Sequence, residues 1–434
     1  MERKTNASRL DIIIVGAGLA GLSAAISCAL AGHNVQVVEA AKELAEIGAG
    51  LQITPNASKL FSQWGILSTL ESKAAEPTYL AVRRYSDGKL LSRTDDFDVD
   101  MRKKYDAPFW DLHRVDLQVA LCERAQQLGV RVRLGARVAD VDFDAPLLTL
   151  KEGGEQLKAD LIVGADGLWS KCRERLLASK GTSDEPLPTG DLAYRIVLRS
   201  EDLKDDRELF DWVAKPSCNF WIGPGSHVVA YSLRGGQMFN IVLLVPDNLP
   251  PGVARQAGSL DEMRAIFADW DPVLNRFLDH VKTVDKWKLM HRSELDSWVS
   301  DKNNFVFIGD SAHSMLPYLA QGANSSLEDG AVLGYVLGAL ESKDQLPQAL
   351  DMFQRLRKKR GEAIVRETFA QRKDFHMLDG SEQEARDELM RSTLGREIDV
   401  KFPSRWQCPV VQPWLYGYDA KTETEKALSE SPFR

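Results

Sequence analysis

The sequence predicts an α/β protein with a βαβ core, an inserted β-sheet and a helical C-terminal region. Three observations predict it. Asp11–Val15 is a short apolar strand that runs into three spaced glycines, an alanine-rich helix to about Leu30 and a second strand ending in Glu39. Two later apolar strands end in Asp166-Gly167 and Gly309-Asp310, each followed by a helix signal. Between those two, roughly residues 190–288, the pattern changes to alternating β segments separated by Gly, Pro and Asn turns.

Each part of the first stretch has a physical task. Gly16 permits a tight strand-to-helix turn, Gly18 lets the backbone approach a pyrophosphate, and Gly21, next to the small Ala20, lets helix and sheet pack closely. The helix N-terminus offers unpaired N–H groups and a partial positive charge to a diphosphate. Glu39, eighteen positions after Gly21, stands where a carboxylate accepts hydrogen bonds from ribose hydroxyls. Ile12–Ala31 carries no charged side chain and is long enough to span a bilayer. Its three glycines make a poor helix start, however, and the β-branched strand Val35–Val38 follows. A signal peptide fits no better, since nothing after Ala31 resembles the start of a mature secreted chain. Dinucleotide binding is the reading that uses every part.

Composition narrows the class. The 434 residues suggest two to three domain-sized units, and 44% hydrophobic with 27% charged content is that of a globular protein. A net charge of −8 disfavours a general nucleic-acid binder. The five cysteines are scattered without a C-x-x-C pair, against a disulfide framework or dithiol centre and in favour of a reducing compartment. The seven histidines show no metal-ligand spacing, so no metal is expected. No targeting segment or hydrophobic tail is visible, and a cytoplasmic protein without a transmembrane segment is the expectation.

The remaining elements follow in order. Met1–Arg9 reads as a loosely held arm, and Glu46–Ala57 as a glycine-rich loop running into a helix. Gly48 and Gly50 in that loop suit either close backbone approach to a flat ligand or a plain turn. Tyr79–Ser92 reads as a hairpin turning at Asp87-Gly88, Asp95–Asp106 as a charged loop, and Val115–Leu128 as an amphipathic helix. Arg114, just before that helix, suits a cofactor phosphate or ribose, or is a surface arginine. Val130–Asp144 and Leu147–Leu150 read as strands, and Asp166 as a helix N-cap. Leu192–Leu198, Ser217–Ile222, His227–Leu233 and Phe239–Val245 form the inserted sheet, and Leu260–Val281 is helical. Leu316–Asn324 opens a helix to about Leu340, and a second runs about Leu346–Lys373, with Arg355–Arg360 as a solvated basic face. The last fifty residues, with Trp406, Trp414, Tyr416 and Tyr418, are expected to wrap over the body.

Four signals now stand in order: the glycine turn with Glu39, Arg114 before a helix, D-G-x-x-S-x-x-R at Asp166–Arg173, and Gly309-Asp310 followed by Pro317 and Gln321-Gly322-Ala323-Asn324. Together they resemble the FAD-dependent aromatic hydroxylases of the para-hydroxybenzoate hydroxylase type, most closely the salicylate hydroxylase-like single-component monooxygenases, over about residues 10–420. The resemblance implies a Rossmann-like FAD-binding domain assembled from 1–78, 105–185 and 289–375. A substrate-binding β-sheet domain would come from 79–104 and 186–288, and a C-terminal helical, wrapping segment from 376–434. It further implies that Gly16, Gly18, Ala20, Gly21 and Glu39 bind the ADP half of tightly held, non-covalent FAD, and that Arg114 reaches the FAD backbone. Asp166-Gly167 would serve FAD and NAD(P)H, Gly309-Asp310 the ribityl or ribose hydroxyls. Gly48–Gly50 and Pro317–Asn324 would lie along the isoalloxazine. The sequence departs from relatives at Ser311 and Gly330, where they often carry alanine, and lacks a thioredoxin-like C-terminal domain. The absence of a second glycine fingerprint disfavours disulfide reductases and Baeyer–Villiger-type enzymes.

In such a protein NAD(P)H would reduce FAD, O2 would add at the flavin C4a, and the hydroperoxide would hydroxylate a small phenolic or other electron-rich aromatic. Arg195 suits a phenolate or carboxylate as a bidentate partner, or is a rim charge. Tyr231 and His227, four apart on one strand, face the same side and suit a substrate oxygen. Trp221 or Tyr318 would wall the pocket, whereas His313 reads as structural; packing roles remain open for all of these aromatics. Epoxidation or oxidative dearomatisation by the same machinery, and a non-oxygenating flavin dehydrogenase, are the alternatives. A monomer or homodimer is expected.

Overall fold

The computed structural model describes residues 8–44 and 49–433. Most of the expected N-terminal arm and Glu46, Ile47 and Gly48 of the glycine-rich loop lie outside the described residues. Asp11–Val15 is the central strand of a five-stranded sheet ordered Phe305–Phe307, Leu161–Gly164, Asp11–Val15, Asn34–Val38, Arg131–Arg133. Every pairing in it is parallel, with Val15 beside both Gly164 and Val38, and Gly164 beside Phe307. Parallel strands in register bring their C-terminal ends to one edge. Gly16, Glu39, the Asp166 loop and the Gly309-Asp310 loop therefore meet there, although up to 294 positions separate Gly16 from Asp310. Chain order reverses at the central strand, the point at which such sheets open a crevice.

Ile12, Ile13 and Ile14 are buried, as a strand covered on both faces requires, each side chain contributing about 2–3 kcal/mol. The helix Leu19–Leu30 packs against Gln321–Gly338 at close range. A methyl group at Gly330 would fall 2.2 Å from Ser23 Oγ, so an alanine there does not fit unless the two helices part. The uncharged run Ile12–Ala31 is thus broken into a strand, a turn and a 12-residue helix. No helix among the described residues is long and apolar enough to cross a membrane.

The segments expected to form the inserted sheet join in one eight-stranded sheet. Its order is Arg255–Ala257, Asp285–His291, Leu187–Arg199, Met238–Pro246, Ser226–Leu233, Cys218–Gly223, Tyr79–Arg84, Leu90–Asp95. All its pairings are antiparallel except that of Tyr79–Arg84 with Cys218–Gly223.

Several expectations are corrected. Asp95–Asp106 is not a loop: Phe97–Tyr105 is a helix that buries Phe97 and Met101, four apart, with acids in its first turn and bases in its last. Leu260–Val281 is two helices, Leu260–Ile266 and Pro272–Asp279, because Asp271 Oδ1 accepts from Val273 N at 3.0 Å and starts the chain afresh. Val130–Asp144 splits between sheets: Arg131–Arg133 ends the parallel one, and Val138–Asp142 pairs with Leu147–Leu150 in a three-stranded antiparallel sheet. Arg355–Arg360 is a solvated face only in part: Arg355 and Lys359 are exposed, but Arg357 and Arg360 are buried against acids of the helix Gln321–Gly338. The C-terminal segment buries Trp406 and Tyr416 and leaves Trp414 exposed.

Candidate active site

A cavity of about 320 Å³ lies between the C-terminal edge of the parallel sheet and one face of the eight-stranded sheet. Gly18, Leu19, Ala20, Gly167 and Asp310 form its near wall, joined by Gly50, Arg114, Pro317, Gly322 and Ala323. Arg195, His227, Tyr231, Tyr318, Phe220, Val229, Val242, Leu244 and Trp406 form the far wall.

The near wall is built on backbone. Gly16 has φ +106°, and a side chain there would start 2.4 Å from the Ala165 carbonyl oxygen of the adjacent strand. At Gly21 it would start 2.0 Å from the Gly16 carbonyl oxygen, so turn, helix and sheet close only on bare backbone. Gly18 has no atom within 4 Å of that point and opens into the cavity at the helix N-terminus. Glu39 is drawn against the same turn, its carboxylate accepting from Ala17 N and Ala41 N, both at 2.8 Å.

The Asp166 loop corrects the cap expected from sequence. Ser170 is the N-cap, its Oγ accepting from Arg173 N at 2.9 Å, while Asp166 accepts from Ser170 Oγ at 2.6 Å and Cys172 N at 3.0 Å. Buried Arg173 then donates to the Ser311 carbonyl at 3.1 Å. The D-G-x-x-S-x-x-R spacing thus ties the second strand's loop to the Asp310 loop. Asp310 is open to the cavity yet walled in by protein; that enclosure pushes its carboxyl above the ordinary value, against the pull of His313 and Arg114.

Pro317, Gly322 and Ala323 face the cavity, whereas Gln321 and Asn324 lie beneath it. Asn324 accepts from Thr54 N and donates to the Gln52 carbonyl, each at 2.9 Å, and Gln321 Nε2 donates to Thr54 Oγ1 at 3.0 Å. These bonds fix the strand Gly50–Ile53 to the start of the long helix. Gly50 N donates to Asn240 Oδ1 at 2.8 Å, and a side chain at Gly50 would start 2.7 Å from the Tyr231 ring. Gly48 lies outside the described residues.

Under this wall sits a buried ion cluster. Arg357 lies 2.7 Å from both Glu328 and Asp329, Arg360 donates to Glu328 at 2.9 Å, and His313 Nε2 is 2.6 Å from Asp329. Burial alone would raise both carboxyls; Arg360 and Arg357 hold Glu328 below its ordinary value, and His313 and Arg357 do so for Asp329. Burial lowers His313, but Asp329 outweighs it and the ring is raised. Asp329 also accepts from Gly309 N at 2.8 Å, so the cluster positions the Asp310 loop.

The far wall is built on side chains. The Arg195 guanidinium stands 5.5 Å from the Trp287 ring centre. Burial, with Asp111 and Cys218 nearby, raises the Tyr231 hydroxyl well above its ordinary value, and Arg195 opposes this. His227 Nδ1 is 2.7 Å from His376 Nε2; burial depresses both, His376 to about 4, so the pair is neutral at pH 7. Tyr318 lines the cavity, its hydroxyl donating to Asp191, which Arg372 clamps. Trp221 does not: its Nε1 donates to Asp271 at 2.7 Å in the core behind the sheet. Sequence reasoning missed His376, the wall position of Trp406, and Asp111. Burial raises the Asp111 carboxyl well above its ordinary value, and it accepts from cavity-lining Gln52 at 2.9 Å. The one available signal for Asp111 was a carboxylate inside the apolar strand Trp110–His113.

These residues suit a flavin dinucleotide: bare backbone at a helix start for the pyrophosphate, carboxylates for hydroxyls, and small residues where a planar ring needs room. The family model for the FAD binding domain matches residues 9–368. The FAD-dependent monooxygenase OpS4 of Beauveria bassiana (strain ARSEF 2860) is 52% identical over 422 residues, 97% of this chain and 98% of that protein. The 3-hydroxybenzoate 6-hydroxylase of Polaromonas naphthalenivorans (strain CJ2) is 30% identical over 416 residues, 95% of this chain and 97% of that one. A salicylate hydroxylase substrate complex shares the fold, with a TM-score of 0.78 at 22% identity across 97% of this chain and 98% of that one. The chain therefore belongs to the FAD-binding-domain family and is a flavoprotein monooxygenase of the single-component aromatic hydroxylase type, with FAD as its cofactor.

Proposed function

We propose that the protein uses NAD(P)H and O2 to hydroxylate a phenolic or other electron-rich aromatic substrate. The observation that carries this is the opposition of the two walls: on the far wall Arg195 and two polar rings, Tyr231 and His227, stand among the apolar Phe220, Val229, Val242 and Leu244 and face the glycine-lined wall. Bound FAD supplies hydride acceptance from NAD(P)H and activation of O2, one oxygen atom entering the ring and the other leaving as water.

The chain's own residues bind, orient and exclude. Gly16, Gly18, Ala20, Gly21 and Glu39 hold the ADP half, and Arg114, Asp166, Gly167, Gly309 and Asp310 hold the phosphate and sugar hydroxyls. Pro317, Gly322 and Ala323 lie along the flavin ring, where the start of the helix Gln321–Gly338 favours negative charge. Gln321 and Asn324 act one step back, by fixing the strand Gly50–Ile53. Arg195 pairs with a phenolate or carboxylate and favours the ionised, more nucleophilic ring. Tyr231 hydrogen-bonds a substrate oxygen, and neutral His227 offers a hydrogen bond without charge. Phe220, Val229, Val242 and Leu244 keep water from the reacting edge. The activity named for the hydroxybenzoate relative supports an aromatic hydroxy acid as the substrate class.

The test is a screen of phenols for accelerated NAD(P)H oxidation by the yellow protein, followed by turnover under 18O2. We expect one labelled oxygen in the product; unlabelled product, or equal turnover without O2, would contradict the reading.

A further inference from the structure

One lining residue of the far wall, Trp406, comes from beyond residue 368, where the match to the family model ends. Trp406 lines the cavity, is 2% exposed, and stands 5.2 Å from Phe220 and 6.3 Å from Phe109, ring centre to ring centre. Its Nε1 donates to the Tyr318 carbonyl at 3.2 Å, and its own carbonyl accepts from Gln412 Nε2 at 2.5 Å.

Its neighbours in the chain are tied on both sides. Arg405 N donates to Gln371 Oε1 at 2.7 Å, and the Arg405 guanidinium pairs with Asp374 and, at 3.3 Å, with Glu367. Gln407 donates to Thr94 Oγ1 at 2.9 Å and accepts from Ser92 Oγ at 3.1 Å. Gln412 accepts from the Tyr105 hydroxyl at 3.0 Å. Buried amides and a buried guanidinium are tolerated only when paired. Here the pairs reach the helix Leu346–Phe375, the edge strand Leu90–Asp95 and the helix Phe97–Tyr105, so the segment is braced against movement around one indole.

We propose that Trp406 is a specificity-determining residue that limits the site to single-ring aromatics, with the braced segment 405–412 holding it in place. This rests on the reading of the cavity as the substrate site. The cavity of about 320 Å³ counts both walls as lining, so a flavin ring and a substrate share it. A fixed indole beside Phe220 and the Tyr318 carbonyl takes up cavity space that a second fused ring would need. Phenylalanine at 406 would open part of that space and alanine most of it.

The experiment titrates hydroxybenzoate and hydroxynaphthoate against FAD-loaded wild type, W406F, W406A and Q407A, reading the change in the flavin absorbance spectrum. Wild type should prefer the single ring, and W406A should shift the ratio of the two Kd values by about tenfold or more toward the larger compound. W406F and the loosened brace of Q407A should shift it less, in the same direction. An unchanged ratio in W406A that retains FAD would overturn the proposal, as would loss of FAD from W406F, which would place the indole on the cofactor. A flavin spectrum that neither compound disturbs, in wild type or W406A, would instead overturn the substrate-site reading and the proposal with it.

Discussion

The two walls of the cavity are made of different material. The near wall is mostly main chain: glycine turns and a helix start, with three carboxylates delivered by strands whose parallel pairing fixes where they end. The far wall is side chain: Arg195, Tyr231, His227 and Trp406, projecting from strands and a C-terminal segment whose backbones would accept many other residues. The difference teaches which half is shared and which is adjustable. Backbone geometry suits a ligand that never changes, and side chains suit one that differs between relatives.

The largest expected effect is at the near wall. Gly16→Val places a side chain at φ +106° against the Ala165 carbonyl, so it should cost about 3 kcal/mol or more and release FAD. Urea unfolding and flavin content measure it; a yellow protein of normal stability would erase the contrast between the walls. Arg357→Met should be of similar size, about 3–5 kcal/mol, because it strips a buried cation from Glu328 and Asp329. A loss under 1 kcal/mol would show that the cluster does not brace the wall.

The same cluster sets a pH window. Glu328 and Asp329 are held below their ordinary values, so their contribution is present above pH about 4 and is lost as pH falls through the lowered values. His313 is raised, so its contribution is full below pH about 6.5 and is lost as pH rises through the raised value. Stability from the cluster should peak between those limits. His313→Gln should flatten the alkaline side and, because His313 helps hold Asp329 down, soften the acid side as well; melting temperatures with unaltered slopes across the range would contradict this.

Far-wall substitutions should be smaller and should leave the fold intact. Tyr231→Phe removes one hydrogen bond and should cost about 1 kcal/mol, roughly fivefold in kcat/KM. A normal kcat/KM would assign the ring to packing against Gly50.

What the sequence revealed follows the same division. The glycine turn, Glu39, Asp166 and Asp310 were legible because each marks a strand end, and parallel pairing makes strand ends meet. On the far wall Arg195, His227, Tyr231 and Tyr318 were legible and line the cavity, but which of the sheet's aromatics turn inward was not. Trp221 and Tyr231 look alike in the sequence, yet one turns to the core behind the sheet and the other to the cavity. Arg357 and Arg360 read as solvated because their acids, Glu328 and Asp329, sit on another helix, and only packing brings the charges together. Trp406 and His376 were hidden for a related reason: what they touch is set by where the C-terminal segment lies across the body.

The most direct measurement is FAD content together with the phenol-induced flavin spectral change on Arg195→Ala. We expect full FAD, a spectral response weakened about tenfold or more in phenol affinity, and a matching fall in kcat/KM. A colourless Arg195→Ala protein, or one that binds phenols as wild type does, would contradict the division of the cavity into a cofactor wall and a substrate wall.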